Sequence, residues 1–319
     1  MPHEILMVQH HHAHVASVMA EHDLSGKILG VSFDGTGYGT DGAIWGGEFL
    51  ICEGAGFQRA AHLDYIKMLG GDSSMKEGWK SAMCYSHAYA LDLPAEDERY
   101  DLIKAGIDHQ INTINSSSMG RLFDAVASFL DIHHVNRYEG ECAIMLENSA
   151  AEALEAGTSP YPMAFDIEDG HRTDGHSLLK EQLEMNGRFD EQKPLTISAR
   201  PIFMAIKAGA SAGVSRGAMA LGFHYAVSDL ILDISRKIRI KEGINQVALT
   251  GGVFQNKIVM ERTLKLLRQE GFDVYYNISV GPNDGGICLG QAYIGMQHLA
   301  QISQLPRLNC KHLDGACGE

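Results

Sequence analysis

The chain has 319 residues, 45% hydrophobic and 21% charged, which excludes a disordered or fibrous protein and leaves room for two lobes. Its formal net charge of −14 repels phosphate backbones and argues against a nucleic-acid partner, since no dense basic patch offsets it. The run Arg236-Lys237-Ile238-Arg239-Ile240-Lys241 reads instead as the last turns of a helix, where cations complement the dipole.

In chain order, EILMV (4–8) predicts a short buried strand. Residues 10–22 predict a helix with Val15, Val18 and Met19 on one face. KILGVSFDG (27–35) predicts a strand entering a Gly-rich turn, with AIWGGEFLICEG (43–54) as its hairpin partner. Helices follow over 73–92 and 96–106. NTINSSSMGRLFDAVASFLDI (112–132) reads as a polar cap and an amphipathic helix whose apolar face is Leu122, Val126, Phe129 and Leu130. Helix continues over 140–156. Residues 157–200, rich in Gly, Pro, Asp and His, predict an exposed or hairpin-containing insertion. A long helix is expected over roughly 214–239.

The last third reads QVALTGG (246–252) as a buried strand, Asn256–Gln269 as a helix closed by Gly271, FDVYYNISV (272–280) as a strand, GPNDGG (281–286) as a turn and residues 287–300 as a helix. That alternation is the mark of an α/β fold with a largely parallel sheet. In such sheets ligands bind at the carboxyl ends of the strands, where both Gly turns lie. The tail 301–319 is expected to be flexible. The six cysteines form no Cys-x-x-Cys pair and read as reduced, buried thiols. The N-terminus lacks a leader pattern and no apolar run reads as a bilayer span, so no membrane partner and a cytoplasmic location are expected.

His10 and His14 are four apart, so both rings can face one metal ion. With 16 histidines in the chain, chance supplies roughly one such pair. Spacing alone therefore favours a polar helix start with solvated imidazoles. Two carboxylates in Gly-rich segments, Asp34 and Asp284, shift that balance. Two imidazoles and two carboxylates suit a divalent ion with positions left open for a substrate oxygen. Taken singly, Asp284 could be an N-cap and Asp34 a turn residue. LTGGVFQN (249–256) and FDGTGYGTDG (33–42) are neither a Walker loop nor a dinucleotide fingerprint. Each lets backbone amides approach an anionic ligand, and together they suggest a nucleotide held between lobes.

QHHHAHVASVMAEH, SFDGTGYGTDGAIWGGEF, SSSMGRLFDAVASFL, YEGECAIMLE, LTGGVFQNKIVMERTLKLLRQEGF and GPNDGGICLGQA, in this order, resemble the C-terminal carbamoyltransferase domain of the HypF family of hydrogenase maturation proteins. The resemblance runs from about residue 5 to about 300. It implies an actin-like ATPase fold of the TsaD-like, two-lobed kind. It also implies transfer of a carbamoyl group from carbamoyl adenylate, made from carbamoyl phosphate and ATP, to the C-terminal cysteine of the partner HypE. The product is on the route to the cyanide ligand of a nickel–iron centre. Residue by residue, the resemblance puts an iron or zinc ion on His10, His14, Asp34 and Asp284. It puts nucleotide contacts on Gly35, Thr36, Gly37, Asp124, Gly140, Gly251, Gly252 and Asn256. No catalytic residue beyond the metal site is implied, because the attacking sulfur belongs to the partner.

The same resemblance implies an incomplete first lobe. Residues 1–26 would be its remnant, 27–300 the transferase domain with 157–200 inserted, and 301–319 a tail. A separate chain carrying the front domains of the family is one expected partner. The alternatives are a TsaD-like tRNA-modifying enzyme, a small-molecule O-carbamoyltransferase, or a non-catalytic module that docks HypE. KEGW (76–79) departs from the family, which usually has a proline before the Trp.

Overall fold

The computed structural model describes residues 5–71, 75–91, 98–168 and 193–304. Its centre is a nine-stranded sheet. The strands are β1 (Ile28–Tyr38), β2 (Ile44–Glu53), β3 (Gly56–Leu63), β4 (Ile66–Leu69), β5 (Thr113–Ser116), β6 (Asp166–Glu168), β7 (Leu195–Ser198), β8 (Gln246–Thr250) and β9 (Asp273–Tyr276). The order is β6-β7-β3-β2-β1-β8-β9, with β5 joined to β2 and β4 to β5. The expectation of a largely parallel sheet is corrected. β1-β8-β9, β3–β7 and β2–β5 run parallel, but β1–β2, β2–β3, β4–β5 and β6–β7 run antiparallel. The hairpin over 27–54 formed as its alternation indicated, and the antiparallel strand β3 then extended it.

The helices are α1 (His10–Glu21), α2 (Gly78–Ala88), α3 (Glu98–Asp108), α4 (Met119–Phe129), α5 (Glu141–Glu155), α6 (Arg200–Ser211), α7 (Arg216–Glu242), α8 (Lys257–Gln269) and α9 (Ile287–Gln304). Side chains alternate across β1, so its two faces serve different cores. Leu29, Val31 and Phe33 pack with Phe49 and with Leu122, Phe123 and Val126 of α4 and Phe223 of α7. Ile28 packs on the other face with Leu50, Ala248 and Val15, Val18 and Met19 of α1.

Helix α1 starts where the Gln9 side chain accepts from the His12 amide at 2.8 Å. It packs against both β1 and α9. The α9 approach needs glycine, since a Cβ at Gly290 would lie 1.8 Å from the Ala13 carbonyl oxygen. Gly290→Ala is expected to force the helices apart and to lower stability by about 1–3 kcal/mol, read as a lower denaturant midpoint at unchanged slope. An unchanged midpoint would show that the two helices yield without cost.

Several expectations are corrected. Residues 5–9 form no strand, and Ile5 and Met7 are exposed. The strand expected over 272–280 stops at Tyr276, where the chain leaves to form the loop before Asp284. Strands β3, β4 and β5 and helix α6 were not read from the sequence. Helix α7 is long and apolar enough to cross a membrane, contrary to the sequence reading, but 78% of its most apolar window is buried inside the fold. Cys52, Cys84 and Cys142 are free and buried, whereas Cys288 is free and exposed. In the expected insertion, β6 and β7 pair antiparallel. Residues 169–192, the tail from 305, and Cys310 and Cys317 lie outside the described residues.

Candidate functional site

Four side chains from three separate segments meet at one end of the sheet. His10 and His14 come from the first turns of α1. Asp34 comes from β1, where the register to β2 shifts between Phe33 and Gly37. It therefore stands in a strand irregularity and not in the turn that the glycines suggested; the turn falls at 39–43. Asp284 opens a short 3-10 turn that runs straight into α9. One ligand atom from each of the four lies within 4.8 Å of every other. His10 Nε2 is 3.2 Å and His14 Nε2 3.4 Å from Asp34 Oδ2, and each is 3.6 Å from Asp284 Oδ1. Four donors about 2.1 Å from a tetrahedral ion lie roughly 3.4 Å apart, so the spacing suits one cation.

The electrostatics agree. Burial works against ionisation of Asp34, yet hydrogen bonds from His10 and His14 outweigh it and hold its pKa well below the carboxylate range. His14 Nδ1 is buried without a hydrogen-bond partner. Two imidazoles and two acids are the donor set of a borderline divalent ion such as zinc or iron(II), so the residues present fit the metal that the resemblance implied.

The glycine turns adjoin this cluster. The Gly252 amide donates to Asp34 Oδ1 at 3.3 Å. Gly251 has φ +98, and a Cβ there would lie 2.2 Å from the Phe33 carbonyl oxygen, so glycine alone lets β8 end against β1. Gly35 is held from below by Ser118, whose hydroxyl donates to its carbonyl at 2.6 Å while also capping α4. Thr36 is exposed, and its hydroxyl donates to Met75 Sδ at 3.2 Å. Met75 in turn accepts at its carbonyl from Asn136 at 2.7 Å, which ties the Thr36 segment to the loop leading to Gly140. Gly140 takes the left-handed conformation at the start of α5 and leaves open space beside it.

Three expected nucleotide residues stand differently from the rest. Gly37 is buried under the His10 and His11 rings, so it lets α1 approach β1. Asp124 is only 1% exposed and pairs with Arg121 at 2.8 Å. Asn256 caps α8, accepting from the Val259 amide at 3.0 Å, and its Nδ2 lies 2.9 Å from His224 Nε2. Because His224 Nδ1 donates to the Ala220 carbonyl at 2.8 Å, Nε2 must be the acceptor, and this fixes the Asn256 amide.

Sequence reasoning missed Ser118, Arg121 and the wall behind His11. There the fully buried Glu48 pairs with Arg59 at 2.6 Å, and the Arg59 guanidinium lies 3.9 Å from the Trp45 ring centre. Ser118 and Arg121 both stand in the SSSMGRLFD stretch, where the cap signal marked the first and nothing local marked the second.

Comparison with known proteins shows the family. The family described as carbamoyltransferase, Kae1-like domain, second subdomain, matches residues 30–291. A "Carbamoyltransferase HypF homolog" from Cupriavidus necator is 32% identical over 297 residues, which cover 90% of this chain and 70% of that protein. The chain belongs to the HypF carbamoyltransferase family. "Carbamoyltransferase HypF" from Synechocystis is 31% identical, the match covering 92% of this chain and 37% of the relative. The chain thus spans little more than a third of that HypF protein. A crystal structure of full-length HypF in the phosphate- and nucleotide-bound form has a TM-score of 0.77 and 34% identity, covering 92% of this chain and 43% of that one. HypF from T. kodakarensis superposes with a TM-score of 0.74 at 28% identity, over 93% of this chain and 37% of that one. The fold is accordingly that of the Kae1-like HypF domain, a mixed α/β architecture consistent with the actin-like ATPases.

Proposed function

We propose that the chain is the transferase portion of a HypF-type enzyme, passing a carbamoyl group from carbamoyl adenylate to the C-terminal cysteine of HypE. The observation that carries this is the convergence of His10, His14, Asp34 and Asp284 beside the Gly251–Gly252 turn, in a chain of this family. The nucleotide-bound HypF relative supports ATP or its carbamoyl derivative as the ligand.

In this reading the HypE thiolate attacks the carbonyl carbon, a C–S bond forms, the C–O bond to phosphate breaks and AMP leaves. His10, His14, Asp34 and Asp284 would hold a divalent ion, which when bound would supply Lewis-acid polarisation and neutralise phosphate charge. The chain's own groups bind and orient. The Gly35 and Gly252 backbone would lie along the phosphate, and Gly140 would leave room for the nucleoside. Asp124 would act through Arg121, and Asn256 would brace the loop from behind. The net charge of −14 favours a protein acceptor over tRNA. The buried free thiols suit a reducing compartment such as the cytoplasm. HypE, and a separate chain carrying the other HypF domains, are the proposed partners.

The test is to purify the chain, measure bound iron and zinc, supply carbamoyl adenylate, and follow the mass of a HypE C-terminal peptide. A carbamoyl adduct that disappears in His14→Ala is expected. Metal and HypE binding without any adduct would reduce the chain to a docking module. A chain without metal whose nucleotide affinity is unchanged in Asp284→Ala would sink the reading.

A further inference from the structure

The four residues of the cluster are not held equally. Side-chain exposure is 1% for His14, 14% for Asp34 and 23% for His10, but 76% for Asp284. The first three sit on packed elements. Asp284 follows residues 277–283, which have no regular structure. Packing around its own side chain therefore does not fix its carboxylate, and the anchors of the loop must.

Those anchors come chiefly from α1 itself. Glu21 Oε1 accepts from the Ile278 amide at 2.8 Å and also from the Ser279 amide. Asn277 is buried, and its Nδ2 donates to Ser17 Oγ at 3.0 Å and to Glu21 Oε2 at 3.4 Å. Its Oδ1 accepts from Thr250 Oγ1 at 3.0 Å. The Pro282 carbonyl accepts from the Gly251 amide at 2.8 Å. Ser17 also donates to the His14 carbonyl at 2.7 Å, which ties the loop to a turn that carries an imidazole.

His10, His14, Ser17 and Glu21 are three or four residues apart, so they form one stripe along α1. One end of the stripe presents the two imidazoles, and the other grips the loop that brings the second acid. We infer that Glu21, together with Asn277, is a positioning residue for Asp284, setting the distance at which this carboxylate meets the two imidazoles. The inference rests on the metal reading of the cluster. Burial works against the Glu21 charge, but the Ser279 and Ile278 amides and the Asn277 side chain outweigh it and lower its pKa, so the grip is ionic at neutral pH.

The experiment titrates the metal-free chain with Co²⁺ alone, by calorimetry and by the visible absorption of the bound ion. Glu21 lies only part-buried at the end of α1, so its replacement spares the core. In Glu21→Ala the Co²⁺ affinity should fall about tenfold, with a changed absorption spectrum, while the metal-free melting temperature moves little. Glu21→Gln keeps an acceptor oxygen and should recover most of the affinity and the spectrum. Wild-type affinity and spectrum in Glu21→Ala would overturn the inference. So would an affinity loss matched by an equal loss of metal-free stability with the spectrum unchanged, because that marks a merely structural role. Absence of Co²⁺ binding in the unsubstituted chain would sink the metal reading itself, and the inference with it.

Discussion

Lowering the pH from 6.5 to 5 should remove about 2–3 kcal/mol of folding stability through His62 and His224 net of Asp64, on the order of a quarter of what a typical domain has. His62 and His224 are buried, and burial lowers each pKa from 6.5 to about 4. Above pH 6.5 both are neutral in the folded and unfolded chain and contribute no pH dependence. Below it these two groups take up two protons in the unfolded chain that they refuse in the folded chain until about pH 4. Each refused proton costs about 1.4 kcal/mol per pH unit, so stability falls with acid by roughly 2.7 kcal/mol per unit for the pair.

Asp64 acts the other way, because burial raises its pKa to about 6 and its protonation below that favours the fold. It offsets one of the two protons below pH 6, leaving a net slope near one proton there. Below pH 4.5 a further loss begins at Glu48, buried yet held at about 2 by Arg59. Its contribution is present above pH 4.5 and disappears as the pH falls towards 2. Denaturant melts at pH 7.5, 6.5, 5.5 and 5 measure the slope. His224→Gln should flatten it by about one proton, and a stability constant from pH 6.5 to 5 would show that these imidazoles are not held neutral.

The second large effect concerns the cluster at the start of α1. In His14→Ala the affinity for a divalent metal should fall more than a hundredfold, since even outer contacts of a metal site are worth ten- to a hundredfold. His14 is the natural choice because its side chain is only 1% exposed and faces both acids, at 3.4 Å and 3.6 Å. In the unsubstituted chain, metal at a hundred times its dissociation constant should add about 2.7 kcal/mol of stability. That gain should be absent in the variant. The metal-free variant loses one partner of the Asp34 charge but should still fold, because His10 remains hydrogen-bonded to that carboxylate. Equal stabilisation of both proteins by metal would place the ion somewhere else.

Much of the fold was legible because its signals are local. The polar cap before α4, the helix start at Asn256, the alternation in residues 27–54 and the Gly-Gly end of β8 lie within one element or its edge. Of the three strands that escaped notice, β4 and β5 have four residues each, too few for a period to show. β9 ended early because the chain is pulled away to reach Glu21.

The sequence by itself determined that His10 and His14 share a helical face, because helical geometry depends on nearest neighbours alone. It also determined, through the six family-like blocks, which kind of fold would carry them. Only the tertiary structure decided that Asp34 and Asp284, distant in the chain, stand within 4.8 Å of those imidazoles. It likewise decided that Asp124 is shut away behind Arg121, and that Gly37 serves the packing of α1. The reason is that burial and long-range approach depend on how β1, α1 and α9 stack, and no spacing along the chain encodes that.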